Sequence, residues 1–128
     1  MCPERPTGGR RRETSRGAGE KVSMLRIHDD VIALCKELAP VLKLVARHDP
    51  DLARQMRRAA ASVALNLGEG SYVGGGLERA RFRTALGSMA EVKSGVLVAE
   101  AFGYVGAVEA ARMDRIDKVI ATLRKLVR

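Results

Sequence analysis

Tryptophan is absent from this 128-residue chain, and the only aromatic rings of the Phe and Tyr type are Tyr72, Phe82, Phe102 and Tyr104. A core with so few rings must be filled by Ala, Val and Leu, which requires closely packed helices. The scarcity also argues against a base-stacking single-strand binder, in which exposed aromatic side chains carry much of the contact. Tyr72, in a glycine-rich stretch, is the one ring expected to be exposed. Cysteine is equally scarce: Cys2 lies in the N-terminal tail segment and Cys35 in a helical pattern, with no partners to form a disulfide framework. That usage fits a reducing cytoplasm. No apolar run approaches the ~20 residues of a membrane helix. Arginines near the start are not followed by an apolar stretch, so no secretory leader is expected and no membrane partner.

What the chain has in excess is positive charge. Lys and Arg number 23 against 15 Asp and Glu, a formal net charge of +8, and the pI is near 10.2. Such a balance favours a polyanionic partner and says nothing about the fold itself. At this length one domain is expected, large enough to bury a core without metal or disulfide staples.

Residues 1–23 hold two prolines, four glycines and six basic residues against three acidic ones, with no apolar period. Burial there cannot offset the entropy of ordering, so a disordered basic tail is expected; the alternative is that Met24 is the true start. From Met24 onward, apolar residues at three- and four-residue spacing predict four helices. The first carries Leu25, Ile27, Val31, Leu34, Cys35, Leu38, Leu42 and Val45 inward, with Pro40 expected to kink it. His48-Asp49-Pro50 reads as a turn, Asp49 capping a second helix with Pro50 at its first position. That helix buries Leu52, Met56, Ala59, Ala60, Val63 and Leu67 and is expected to end near Gly70. Residues 71–76 read as a long glycine-rich break. A third helix buries Phe82, Ala85, Leu86, Met89, Val92, Val96 and Ala99 and stops near Gly103. A fourth, from about Val108 to Val127, buries Met113, Ile116, Val119, Ile120, Leu123 and Leu126. Short connections between long helices imply an all-α, antiparallel up-down four-helix bundle over residues 24–128.

Two arginine clusters are the candidate nucleic-acid-binding residues. Arg54, Arg57 and Arg58 share one face at i, i+3, i+4 spacing; Arg79 and Arg83 form an i, i+4 pair with Arg81 beside them. Guanidinium groups grip phosphates bidentately. A solvated face with ion pairs is the plainer alternative. With no zinc-finger spacing and no recognition helix, backbone and shape recognition are expected rather than base readout.

Ser62, Asn66 and Glu69 fall on one stripe bordering the apolar face of helix two, with Ser88 and Glu91 similarly placed on helix three. Two carboxylates on neighbouring helices invite a metal or acid–base reading, but di-iron bundles use Glu-x-x-His pairs, and no such pair occurs. An interhelical hydrogen-bond network is the favoured reading. His28 and His48 lack companions at ligand spacing. Ser62, Ser71 and Ser88 have no evident base partner, and the glycine runs at 68–70 and 74–76 are not followed by the Lys-Ser/Thr of a phosphate-binding loop. No metal, no cofactor and no catalytic activity are expected.

The elements Gln55-x-Arg57-Arg58-Ala59, Asn66-x-x-Glu69-Gly70 and Gly87-Ser88-x-x-Glu91, in that order, resemble the four-helix bundle family of 23S-rRNA intervening-sequence proteins. The accessory variability determinant of diversity-generating retroelements is a related bundle. The resemblance covers Met24 to Arg128. It implies a bacterial bundle assembling as a ring-like homopentamer with a basic surface; in the retroelement relatives it implies nucleic acid and a reverse transcriptase as partners. For the intervening-sequence members the name records genomic location, not an activity. Gly68 departs from the usual small aliphatic residue, and a glycine-rich loop replaces a polar, charged one. The functional expectation is a non-catalytic, oligomeric nucleic-acid-binding protein, RNA or DNA, whose arginine clusters contact the phosphate backbone. The alternative is a protein-interaction scaffold binding an acidic protein partner.

Overall fold

A computed structural model describes the backbone of residues 7–73 and 75–128 and the side chains of residues 26–70 and 75–128. Four helices follow one another: α1 (Thr7–His48), α2 (Pro50–Val73), α3 (Gly75–Ala101) and α4 (Ala110–Leu126). Each packs on its neighbour in the chain, and α4 closes back onto α1, with the α2–α3 hairpin the most extensive pair. The architecture is the expected all-α bundle. Helix α1 is assigned from Thr7, ahead of Met24. Residues 1–6 of the expected tail, and all side chains of residues 1–23, lie outside the described residues.

The three- and four-residue spacing does place the apolar side chains inward. Val31, Leu34, Leu38 and Val45 of α1, Met56, Val63 and Leu67 of α2, Phe82, Met89, Val92 and Val96 of α3, and Ile116 and Leu123 of α4 are buried in one core. Val41 and Ala53 join them, while Cys35, Leu52, Leu86, Met113 and Leu126 are only partly buried at its edge. No polar or charged side chain among the described residues is buried. The Leu25 side chain lies outside the described residues. Helix α1 contains Pro40 and continues to His48.

The corners follow local chemistry. Asp49 Oδ1 accepts the Leu52 N–H at 3.0 Å, the N-cap bond expected with Pro50 in the first helical position. At the other end of the hairpin the structure differs from the sequence reading. The glycine-rich segment 71–76 is not a long break: α2 is helical through Val73 and α3 from Gly75, leaving one residue between them. Gly75, at φ +62°, supplies the left-handed backbone such a reversal needs. Gly70, buried inside α2, lets Phe82 of α3 come close; a Cβ at Gly70 would lie 2.6 Å from Phe82 Cε1. The glycines serve close packing and a tight reversal.

Helix α3 ends where Gly103 adopts φ +76°. The Gly103 N–H reaches Glu100 O at 3.0 Å and the Tyr104 N–H reaches Ala99 O at 2.9 Å, satisfying carbonyls that the helix leaves open. Glu100 Oε2 then accepts the Val108 N–H at 2.6 Å, holding the far side of the α3–α4 connection.

Candidate nucleic-acid interface

All six candidate arginines are exposed, but the helix pairing separates them into two sites. The register of the hairpin is set by Met56 against Gly95, the Ser88–Ser62 hydroxyl bond and Gly70 against Phe82. With a rise of ~1.5 Å per residue, Arg58 and the level of Arg83 are about 15 Å apart along the axis, and Arg54 and the level of Arg79 about 27 Å. Arg54, Arg57 and Arg58 therefore mark the α1–α2 end, and Arg79, Arg81 and Arg83 the α2–α3 end.

The members of each group are not equivalent. Arg54 Nη1 pairs with Asp51 Oδ1 at 2.8 Å, so part of its charge is already answered. Arg81 Nη1 lies 3.0 Å from Glu69 Oε1 and 3.5 Å from Asn66 Oδ1, across the hairpin. Arg57, Arg58, Arg79 and Arg83 have no carboxylate partner among the described residues. Arg79 also borders a surface cavity of about 330 Å³ beside the first turn of α3, with Gly75, Gly76 and Glu78 on one side and Lys125 and Arg128 on the other. Arg79, Lys125 and Arg128 together make that rim rich in cations.

The polar stripe forms an interhelical network. Asn66 Nδ2 donates to Ser62 O at 2.8 Å and to Ser62 Oγ at 3.1 Å, and Ser88 Oγ donates to Ser62 Oγ at 2.9 Å. Glu69 enters through Arg81. Glu91 is exposed, one turn beyond Ser88, and is not joined to these residues. The network spans two helices in a half-buried position, where unmet polar groups are costly and met ones fix register. Its Arg81 member was not legible in the sequence, because the Glu69–Arg81 pairing depends on how closely α3 follows α2. Among the described residues no group of three or more His, Cys, Asp or Glu side chains could hold a metal.

A cluster of rings also emerges at the α1–α2 end. His48 stacks on Tyr104 with centroids 5.2 Å apart and planes 5° from parallel; Phe102 lies 5.6 Å from Tyr104, tilted by 38°. His48 is more than 50 positions from Phe102 and Tyr104 in sequence, so no local pattern brings it to them. Tyr72, the ring expected to be exposed, belongs to α2, and its side chain lies outside the described residues.

The sequence profile of the 23S rRNA-intervening sequence protein family matches residues 23–126. The chain belongs to this family. No curated protein and no solved structure matches it. Within this intervening-sequence protein, the three sequence elements that carry the resemblance lie on α2 and α3. They contain the Arg57–Arg58 pair, the Asn66 and Ser88 members of the polar network, and Gly70 of the close approach. No described helix is long and apolar enough to cross a membrane.

Proposed function

We propose that this protein is a non-catalytic nucleic-acid-binding bundle that grips the phosphate backbone of RNA through its exposed arginines. The observation that carries the reading is the set Arg57, Arg58, Arg79 and Arg83, exposed and without carboxylate partners among the described residues, on a chain of net charge +8. The family takes its name from a location in 23S rRNA, which makes RNA the nucleic acid to test first. Two basic ends about 15–27 Å apart along one hairpin suit contacts to separated phosphates of a structured strand better than one focused pocket. Arg54 and Arg81 contribute less, since each is engaged by a neighbouring carboxylate.

The outer face of α2 carries Arg54, Arg58, Ala61 and Leu65 in succession, and Leu65 is 66% exposed. Leu77, at 67%, is a second uncovered apolar residue. These favour assembly of several copies, and the family resemblance makes the pentamer the assembly to test. A reverse transcriptase partner rests on the resemblance alone. The cytoplasm is the proposed compartment. The second reading, a scaffold for an acidic protein, draws on the same apolar residues and the same arginines.

The test is charge reversal in pairs. Arg57→Glu with Arg58→Glu, and separately Arg79→Glu with Arg83→Glu, are expected to weaken RNA binding while leaving the helical circular dichroism unchanged. Unchanged affinity in both pairs would remove the arginines from the site.

A further inference from the structure

We propose that the His48–Tyr104–Phe102 cluster is a stacking platform for an unpaired nucleobase of single-stranded RNA. The proposal rests on the nucleic-acid reading above and adds to it a place and a ligand class: the phosphate contacts carry no preference for single strands, whereas this cluster does. Phe102 is 67% exposed, in a chain whose only other phenylalanine, Phe82, is buried in the core. Burying a ring of that size is worth about 1.5–3 kcal/mol, yet among the described residues nothing covers it. His48 is exposed as well.

The rings are held in place. Gly103 closes α3 through the two backbone bonds of its cap, and Glu100 clasps the Val108 N–H from the other side. Tyr104 is half-buried between His48 and Phe102, which fixes the neighbouring rings relative to each other. A preformed pair of ring faces is what an unstacked base needs, and every base has a π-face to offer.

Charge around the cluster suits the strand attached to such a base. Lys43 and Arg47 are exposed on the last turns of α1, one helical turn apart and next to His48. Of the nearby carboxylates, Asp51 pairs with Arg54, while Asp49 and Glu100 keep their charge and hold the backbone N–H groups of Leu52 and Val108. A second copy of this chain would bring the same cations against one another, which disfavours it as the occupant. Val98, one turn before Phe102, is exposed too, so self-association is the competing outcome that the experiment must detect.

The experiment titrates the full chain, near physiological salt, with a short single-stranded RNA carrying 2-aminopurine and with the same sequence as a duplex. Fluorescence reports stacking, and sedimentation reports assembly. Phe102→Leu keeps apolar bulk and removes the ring; Phe102→Trp keeps a ring. The expected result is a fluorescence change on single-strand binding that Phe102→Leu abolishes, with affinity falling about 5- to 100-fold. Phe102→Trp should retain both, and duplex affinity should be unchanged in each variant. Wild-type single-strand affinity and fluorescence in Phe102→Leu would overturn the platform while leaving the phosphate reading intact. A changed sedimentation mass with unchanged single-strand affinity would assign Phe102 to a subunit contact instead. Failure of the wild type to bind either RNA would overturn the nucleic-acid reading itself, and the platform with it.

Discussion

A methyl group added at Gly70 would sit 2.6 Å from Phe82 Cε1 and 3.3 Å from Arg81 Cβ, whereas one added at Gly87 would meet nothing within 4 Å. Both glycines lie inside helices of the same hairpin, and alanine is the better helix former by about 1 kcal/mol. Gly87→Ala should therefore stabilise the protein by roughly 0.5–1 kcal/mol, and Gly70→Ala should destabilise it by about 1–3 kcal/mol through overpacking; urea denaturation of the two variants measures both. Gly95 is intermediate, since the atom it would strike is Cγ of the flexible Met56. At Gly68 an added Cβ would meet only His28 Nε2, at 4.0 Å, so this departure from the family pattern is not forced by space. Cys35 is another residue whose chemistry follows its surroundings: burial raises its thiol above the ordinary 9.0. In a Cys2→Ser variant, alkylation at pH 8 should be slower folded than unfolded. Because the folded pKa is the higher one, the protonated thiol favours the fold at neutral pH, and this contribution is lost as pH rises past 9 toward the folded value.

At the scale of elements, α4 is tied to α1 by one half-buried carboxylate. Glu37 Oε1 accepts from Arg115 Nε at 3.0 Å and also meets Arg115 Nη2. Arg112 Nε approaches the same oxygen at 3.7 Å, too far for a hydrogen bond, and is left buried without a partner. One oxygen serves two guanidinium groups, so Glu37→Gln should loosen both. The expected cost is about 1 kcal/mol after allowing for solvent screening, smaller at high salt, with faster amide exchange concentrated in α4. The four helices were legible because apolar residues recur every three or four positions, and Asp49-Pro50 marked the α2 start by its own chemistry. The glycines at 74–76 misled because composition alone does not tell a flexible loop from a tight reversal. Only the packing of Gly70 on Phe82 decides it. The Glu37–Arg115 clasp spans 78 positions and has no local signature.

For the molecule as a whole, exposed arginines could be named from sequence, since helical spacing fixes which face they share. Their division between the two ends of a hairpin could not, because it depends on the antiparallel register. The same holds for the ring cluster, which joins the end of α1 to the α3–α4 connection. This arrangement predicts that each basic end contributes separately, so the effects of the two double charge reversals should add. The central claim is that phosphate contacts drive binding, and a salt series tests it most directly: equilibrium binding of structured RNA to the full chain, measured from low to physiological salt. The account predicts sub-micromolar affinity persisting near physiological salt, with log affinity falling linearly in log salt and a slope that each double reversal makes shallower by about one to two. Negligible affinity at that salt, or a slope indifferent to the arginines, would contradict it and leave the scaffold reading in its place.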